Sequence, residues 1–441
     1  MIRSAFATTA ALAATLAFGV TGAVAAPKPG TPFGRMAAHD HMSVPSPLAH
    51  AIKQRLGLRP HAAVAGANQA PAQQQELQAS DGMPVDFLGW TVSLTADGHT
   101  ALVGAPGRTV GAAYVFVEHG GKWSQKQVLE SPEGSAADSY GWSVSLSGDG
   151  TTALVGAYSG NGGNGIVYSY ALKGGRYVLD SHITAPDAAY GDEFGYAVSL
   201  SALGNVALVG SPDHNGFQGA AYVFVHRGGS WHQLREYQDP VALGEAYGAS
   251  VSEAADGLAG VVGAPFANLA QGAAYVFSEL GSSQQTLVGD PAAQPFLFGL
   301  TVSIDGLGNR VLVGSPSANL GDGAAFVYDR SASGWNESQE LVQSDPSGAD
   351  LFGYSVALDY PGNVALIGAM ERNGTDGAAY TFAGNRTLTQ QRELTEPTAS
   401  GQGDEYGFSV AVNALGTELL IGAPYANNAQ GAAWAVANPL R

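Results

Sequence analysis

Residues 193–212 read EFGYAVSLSALGNVALVGSP, and much the same string returns at 350–369 as DLFGYSVALDYPGNVALIGA and at 404–424 as DEYGFSVAVNALGTELLIGAP. A string that returns at a fixed period is typical of a repeat architecture, in which each unit is one supersecondary structure. Two glycines mark each unit, and they are 15 residues apart in all seven units. The pairs are Gly89 with Gly104, Gly141 with Gly156, Gly195 with Gly210, Gly248 with Gly263, Gly299 with Gly314, Gly353 with Gly368 and Gly407 with Gly422.

Each unit predicts four strands. In the first unit, GWTVSL (89–94) alternates apolar and polar residues as a half-buried strand does, and a DG dipeptide suited to a tight hairpin leads to TALVGA (100–105). AAYVFV (112–117) and WSQKQVL (123–129) supply the third and fourth strands. One sheet of this size cannot bury both faces, but seven arranged radially can. The sequence therefore predicts an all-β fold, a seven-bladed β-propeller of four-stranded blades.

The last unit predicts how the ring closes. It ends soon after its third strand, AAWAV (432–436), whereas QQQELQAS (73–80) precedes the first unit. Leu77 lies 12 residues before Gly89, the spacing that separates a leucine of the fourth strand from the next unit elsewhere. We expect 73–80 to form the outer strand of the last blade. The alternative is an unstructured leader that contains QEL by chance.

These motifs resemble the FG-GAP repeats of the integrin α-chain head. The FG string stands at 194–195, 298–299 and 352–353, and the GAP string at 104–106, 263–265 and 422–424. The resemblance covers about residues 73–441. It implies a seven-bladed propeller that is usually extracellular, usually a recognition module, and binds its ligand on the face with the longer loops.

Several integrin blades bind Ca²⁺ in the loop before GAP, and such a site needs several oxygen ligands at short spacing. The matching loops here, such as TADGHTALVGAP (95–106) and SALGNVALVGSP (201–212), keep at most one Asp each. The sequence therefore predicts no Ca²⁺ in these loops, and we expect no other metal and no cofactor.

Composition and the N-terminus indicate an exported protein. The formal charge of −18 disfavours nucleic-acid binding, which needs a basic stripe. Residues 1–26 combine Arg3, an apolar run and small residues suited to cleavage, so we predict a signal peptide rather than a membrane anchor. Residues 27–72 are predicted to be a flexible Pro/Ala-rich leader, and 73–441 the propeller. We expect a monomer without a membrane span after signal cleavage, secreted or periplasmic.

Acidic residues recur three positions before the first glycine of each unit, with Phe296 as the one exception. Such a ring attracts a cation or a basic ligand, or each carboxylate caps a turn by accepting backbone N–H bonds. We favour the structural interpretation, because a feature repeated in nearly every blade is more often structural. The acidic residues are Asp86, Asp138, Asp192, Glu245, Asp350 and Asp404.

The loops between the second and third strands hold the predicted ligand contacts. Unit three departs from the repeat with PDHNGFQG (212–219), and we expect its irregular residues to lie outside the core. Asparagines in three other units are candidates to contact a sugar or a peptide, although such residues often make Asx turns. The candidate ligand-binding residues are Asp213, His214, Phe217, Asn268, Asn319 and Asn427.

Two functions remain open. The first is an exported recognition module that binds a protein or glycan through its long-loop face, with a role in adhesion. The second is a polysaccharide hydrolase or lyase with carboxylates at the channel mouth. The sequence contains neither G-x-S-x-G nor H-E-x-x-H and has no cysteine, so it predicts no catalytic residue and favours the first.

Overall fold

The computed structural model describes residues 73–134, 138–239, 244–278, 283–397 and 403–438. These residues form 28 strands in seven four-stranded sheets, and every pairing between neighbouring strands is antiparallel. Each sheet is one blade, which confirms the predicted seven-bladed propeller. The predicted signal peptide and the 27–72 leader lie outside the described residues and stay predictions.

The strands follow the repeat unit by unit. Blades 1 to 3 consist of β2 (Thr91–Leu94), β3 (Thr100–Ala105), β4 (Ala112–His119), β5 (Lys122–Glu130), β6 (Ser143–Leu146), β7 (Thr152–Ala157), β8 (Ile166–Lys173), β9 (Arg176–Ile183), β10 (Ala197–Leu200), β11 (Val206–Ser211), β12 (Ala220–Arg227) and β13 (Ser230–Gln238). Blades 4 to 6 consist of β14 (Ser250–Glu253), β15 (Ala259–Ala264), β16 (Ala273–Ser278), β17 (Gln284–Leu287), β18 (Thr301–Ile304), β19 (Arg310–Ser315), β20 (Ala324–Ser331), β21 (Gly334–Leu341), β22 (Phe352–Leu358), β23 (Val364–Ala369), β24 (Ala378–Ala383) and β25 (Thr389–Leu394).

Blade 7 closes the ring with both ends of the described chain. It consists of β26 (Ser409–Val412), β27 (Glu418–Ala423), β28 (Ala432–Ala437) and, as its outer strand, β1 (Gln74–Leu77). β1 runs antiparallel to β28, with Gln74 opposite Val436 and Leu77 opposite Ala433. The predicted closure by residues 73–80 is confirmed.

The first strand of each blade contacts the first strand of the next, from β2 round to β26 and back to β2. These seven strands therefore surround a central channel. The apolar core lies between blades: Leu102 and Val115 of blade 1 form one buried cluster with Val144 and Val155 of blade 2. Each blade thus buries a face that it cannot bury alone.

The two glycines of the repeat meet at every joint between blades. The N–H of Gly89 donates to the carbonyl of Gly104 in the same blade at 3.1 Å. An ideal Cβ on Gly104 would lie 2.2 Å from the carbonyl oxygen of Gly141 in the next blade, so no side chain fits. The first glycine also has a positive φ, +92° at Gly89, which favours glycine.

One end of the propeller carries the longer loops, and we call it the long-loop face. It holds the loop between the second and third strands of each blade, the 2–3 loop, and the loop that enters the next blade, the 4–1 loop. Isolated parallel bridges join the two kinds of loop, as between Gly165 and Phe194. The short helices of the described residues are α1 (Gly160–Gly163), α2 (His214–Phe217), α3 (Ala267–Ala270), α4 (Ala426–Ala429) and the 3₁₀ turns Pro291–Ala293 and Asn319–Gly321.

Candidate functional site on the long-loop face

Aromatic side chains surround most of the channel mouth on the long-loop face. The residue after the first glycine of a unit stands at the entry to the innermost strand, and in five of seven units it is aromatic. Neighbouring rings are in contact, with centroids 4.7 to 5.4 Å apart. We call this set the aromatic arc. Its members, in order round the mouth, are Tyr354, Phe408, Trp90, Trp142 and Tyr196.

Two leucines project from 2–3 loops of adjacent blades. Leu269 in blade 4 is 98% exposed and Leu320 in blade 5 is 91% exposed. Both have a left-handed backbone, with φ of 61° and 63°. The corresponding position, six residues after the second glycine, holds Gly162, Gly216 and Gly374 in three other blades, and these residues adopt a positive φ without strain. An exposed apolar side chain in a left-handed conformation favours neither folding nor solubility, so the fold does not explain these leucines.

The residue before each leucine has a backbone role. Six of the seven units place an asparagine five residues after the second glycine, and all six have φ between 52° and 57°. Asparagine is one of the few residues that adopt this conformation readily. Side chains of two of them bond to outer strands: Asn319 donates to Glu340, and Asn427 donates to Glu76. The six asparagines are Asn161, Asn215, Asn268, Asn319, Asn373 and Asn427.

All six acidic residues before the first glycines are buried. The carboxylate of Asp86 accepts the N–H of Met83 at 2.8 Å, and the N–H of Asp86 donates back to the carbonyl of Met83. Asp192 accepts the N–H of Ala189 in the same way. These side chains cap the turn that leads into the next blade. Asp86 and Asp192 thus have the contacts that the structural interpretation expects, and Oδ2 of Asp192 also lies 2.9 Å from Nδ1 of His214.

Asp350 combines the turn cap with an ion pair. It accepts the N–H of Ser347 at 2.8 Å, and the guanidinium of Arg372 lies 3.3 Å away. Burial, followed by the hydrogen bond with Asp239 and then by the charge of Asp239, raises the pKa of Glu245 to about 7. In blade 5 the side chain of Phe296 replaces the acid, and the hydroxyl of Ser315 bonds the backbone of Phe296 instead.

The irregular residues of unit three separate into surface and core. Phe217 is 41% exposed and packs against Phe266 with ring centroids 5.7 Å apart, while Asp213 is half-buried. His214 is only 4% exposed, and its Nδ1 lies 2.9 Å from the carboxylate of Asp192. The expectation that all three residues lie outside the core is therefore wrong for His214. The buried carboxylate of Asp192 holds the ring of His214 in place. The positions of the two residues in the sequence did not indicate this contact.

The repeat units match a known family at the level of sequence. The family model described as FG-GAP repeat matches residues 71–116, 123–170, 177–224 and 335–382. Each match begins near an outer strand and runs through the first three strands of the next blade, so the first match treats β1 as the outer strand of a preceding blade. The chain is an FG-GAP repeat β-propeller. No curated protein is significantly similar to it.

The FG-GAP propeller is, at this general level, a protein-binding module, and FG-GAP repeats are typical of extracellular proteins. Within the residues described, none of the helices has the length and apolarity needed to cross a bilayer. The first three strands of blades 4, 5 and 7 lie outside the matched stretches, yet each of these blades has the same four strands.

A pair of carboxyl groups lies beside the aromatic arc of the FG-GAP propeller. Burial raises the pKa of Glu193 to about 7, and the charge of Asp213 adds to this shift. Burial and the charge of Asp192 raise the pKa of Asp213. The charge of Glu193 also raises the pKa of Tyr196 further than burial alone does. The mouth therefore combines apolar ring faces with acids that are costly to ionise.

A second group lies farther out on blade 3. One ligand atom from each of Asp187, His214 and Glu236 lies within 4.8 Å of the other two. Sequence analysis predicted no metal site, and these residues are 27 and 22 positions apart, so no local motif marks them. The leucines and the aromatic arc both occupy fixed positions relative to the repeat glycines. The glycine spacing could therefore have identified them from the sequence.

Proposed function

We propose that the protein is an exported recognition module that binds a partner protein through its long-loop face, with a role in adhesion. The observation that carries the proposal is the exposure of Leu269 and Leu320 at left-handed positions. Backbone strain and exposed apolar surface both oppose stability, and features of this kind concentrate at binding sites. The export step rests on the predicted signal peptide at 1–26.

The aromatic arc provides a second, central contact region. Ring faces bind apolar side chains and, by cation–π attraction, Lys or Arg side chains of a partner. They also stack on sugars, so a glycan ligand is proposed for the same face. Asp213, Phe217 and the loop asparagines Asn268 and Asn427 extend this surface outwards, since Asp213 is half-buried and the other three are exposed. Asn319, half-buried, lies beside Leu320.

Peptide and glycan arrays screened with the purified protein test this proposal. The double variant Leu269→Asn with Leu320→Asn is screened in parallel, because asparagine suits the left-handed backbone. We expect the variant to lose bound peptides while its thermal midpoint stays the same or rises. Binders that persist at full strength in the variant would place recognition elsewhere. A variant in the outer strand of blade 2, Val178→Asn in β9, is the control because Val178 is also exposed but lies outside the loops of the long-loop face.

The carboxyl pair favours a second candidate function, hydrolysis of a polysaccharide. A glutamate with a pKa near 7 can act as a general acid at neutral pH while a second carboxylate assists. Glu193 and Asp213 would have these roles, beside the ring of Tyr196. Incubation with a panel of polysaccharides should then release reducing ends, and Glu193→Gln should abolish the release. Equal release by both proteins would eliminate this candidate.

A further inference from the structure

One position of the repeat holds an arginine or a histidine in three blades. Four residues after the second glycine stand Arg108 in blade 1, His214 in blade 3 and Arg372 in blade 6. The same position holds Gly160, Ala267, Ala318 and Ala426 in blades 2, 4, 5 and 7. Only blades 1, 3 and 6 therefore place a basic side chain between the 2–3 loop and the outer strand.

In blades 1 and 6 the guanidinium lies between carboxylates of the 4–1 loop and of the fourth strand. Arg108 lies 2.8 Å from Asp81 in the 4–1 loop and 3.1 Å from Glu130 in the fourth strand. The hydroxyl of Tyr114 donates to Asp81 and completes the group. In blade 6, Arg372 pairs with Asp345, which corresponds to Asp81, with Glu393 of the fourth strand, and with the buried Asp350. A permanent cation fills each of these carboxylate pairs.

Blade 3 keeps the carboxylates and the tyrosine but replaces the guanidinium with an imidazole. Asp187 corresponds to Asp81 and Asp345, and Glu236 lies opposite Tyr222 in the sheet as Glu393 lies opposite Tyr380 in blade 6. The hydroxyl of Tyr222 donates to Oδ1 of Asp187 at 3.2 Å. The charges of Asp187 and Glu236 add to the effect of burial in raising the pKa of Tyr222, so that hydroxyl keeps its proton. Imidazole presents one ring nitrogen where arginine presents a fork of donors.

The ring of His214 is oriented for a ligand at its outer nitrogen. Its Nδ1 donates to Oδ2 of the buried Asp192, and with Nδ1 so occupied the second ring nitrogen, Nε2, lies on the side of Asp187. The His214 side chain is 5% exposed, and within the described part of the chain Nε2 makes no hydrogen bond. Oδ2 of Asp187 lies 3.8 Å from Nε2, beyond hydrogen-bond distance.

We propose that Asp187, His214 and Glu236 bind a divalent transition-metal ion of the Zn²⁺ class. Two ligands about 2.1 Å from one tetrahedral ion lie about 3.4 Å apart, so the separations in blade 3 need only small movements of exposed carboxylates. One imidazole nitrogen with two carboxylates suits Zn²⁺ better than Ca²⁺ or Mg²⁺, which prefer oxygen alone. Three protein ligands leave a coordination position for water or an acidic group. This inference does not rest on the proposed function.

Calorimetric titration of the chelator-treated full chain with ZnCl₂ tests the site. We expect one saturable Zn²⁺ site, a rise in thermal midpoint on binding, and no comparable effect of CaCl₂. Asp187→Asn and Glu236→Gln should each weaken this site by about 10-fold or more. Asp192→Asn, which only positions the ring, should weaken it by about 10–100-fold.

Blade 1 supplies the matched control. Glu130→Gln makes the same change in a pair already filled by Arg108, so it should leave Zn²⁺ binding unchanged. His214→Arg should rebuild the arrangement of blades 1 and 6, remove the site and keep the fold. If Glu236→Gln and Asp187→Asn bind Zn²⁺ as tightly as Glu130→Gln does, the ion occupies other histidines and the proposal is wrong. If the unmodified protein takes up no Zn²⁺, the imidazole merely replaces the guanidinium, which also overturns it.

Discussion

The carbonyl oxygen of Gly89 lies 2.1 Å from the point where a Cβ on Gly422 would be. These two residues belong to the first and last units of the chain, and they meet where blade 7 joins blade 1. The hydroxyl of Ser409 donates to the same carbonyl at 2.8 Å. The joint that closes the ring thus has the same close backbone contact as the six joints within the chain.

Gly422→Ala should therefore destabilise the propeller strongly. The added methyl group meets backbone that cannot move without separating two blades, and overpacking of this kind costs about 1–3 kcal/mol or more. Thermal melting followed by circular dichroism measures the effect. Gly216→Ala is the control: it has a positive φ but no atom within 4 Å of an added Cβ, so it should cost about 1 kcal/mol. Equal melting of the two variants would contradict a tight joint.

Closure by β1 makes Leu77 equivalent to Leu341 of blade 5, and each is 2% exposed. Leu77→Ala and Leu341→Ala should lower stability by similar amounts, about 2–5 kcal/mol for a buried leucine. A chain that begins at Gly82 should melt lower still and aggregate, because the edge of β28 loses its partner. If Leu77→Ala melts like the unmodified protein while Leu341→Ala does not, the N-terminal strand does not close the ring in solution.

The acidic residues before the first glycines should differ in their effect on stability. Asp86→Ala removes one turn cap and should cost about 1 kcal/mol. Asp350→Ala also removes a buried partner of Arg372 and should cost about 3 kcal/mol. Thermal midpoints of the two variants give the ranking. Unchanged melting of both, together with loss of an array ligand, would instead identify the acidic residues as the binding site.

The carboxyl group of Glu193 should make stability depend on pH. Its pKa in the fold is about 7, above the ordinary value of 4.5, so the fold favours the neutral form. This contribution is complete below pH 4.5 and is lost as the pH rises through 7. Glu193→Gln mimics the neutral form and should be more stable than the unmodified protein at pH 8 by about 1 kcal/mol, given partial solvent screening. Parallel melting profiles from pH 5 to pH 8 would contradict the raised pKa.

Much of the fold follows from local rules that the sequence repeats. The 15-residue glycine spacing, the alternating strands and the hairpin dipeptides predict each blade, because strand period and turn conformation depend on neighbours in the chain. The spacing of Leu77 before Gly89 predicts closure for the same reason, since it copies a spacing found within the chain. The irregular residues of unit three were predicted as one exposed patch, yet His214 faces the core.

The sequence by itself thus determined the all-β class, the seven blades and the strand that closes the ring. Only the tertiary structure showed that Trp90 contacts Phe408 and that His214 lies near Asp187 and Glu236. It also showed that Leu269 and Leu320 are exposed on adjacent blades. Trp90 and Phe408, like His214 and its two carboxylate neighbours, are far apart in the chain. The distances between their side chains depend on how the blades and loops pack. The exposure of a side chain at a loop tip also depends on the neighbouring loops that cover it. In a propeller, burial comes from the adjacent blades and not from the strand that carries the residue.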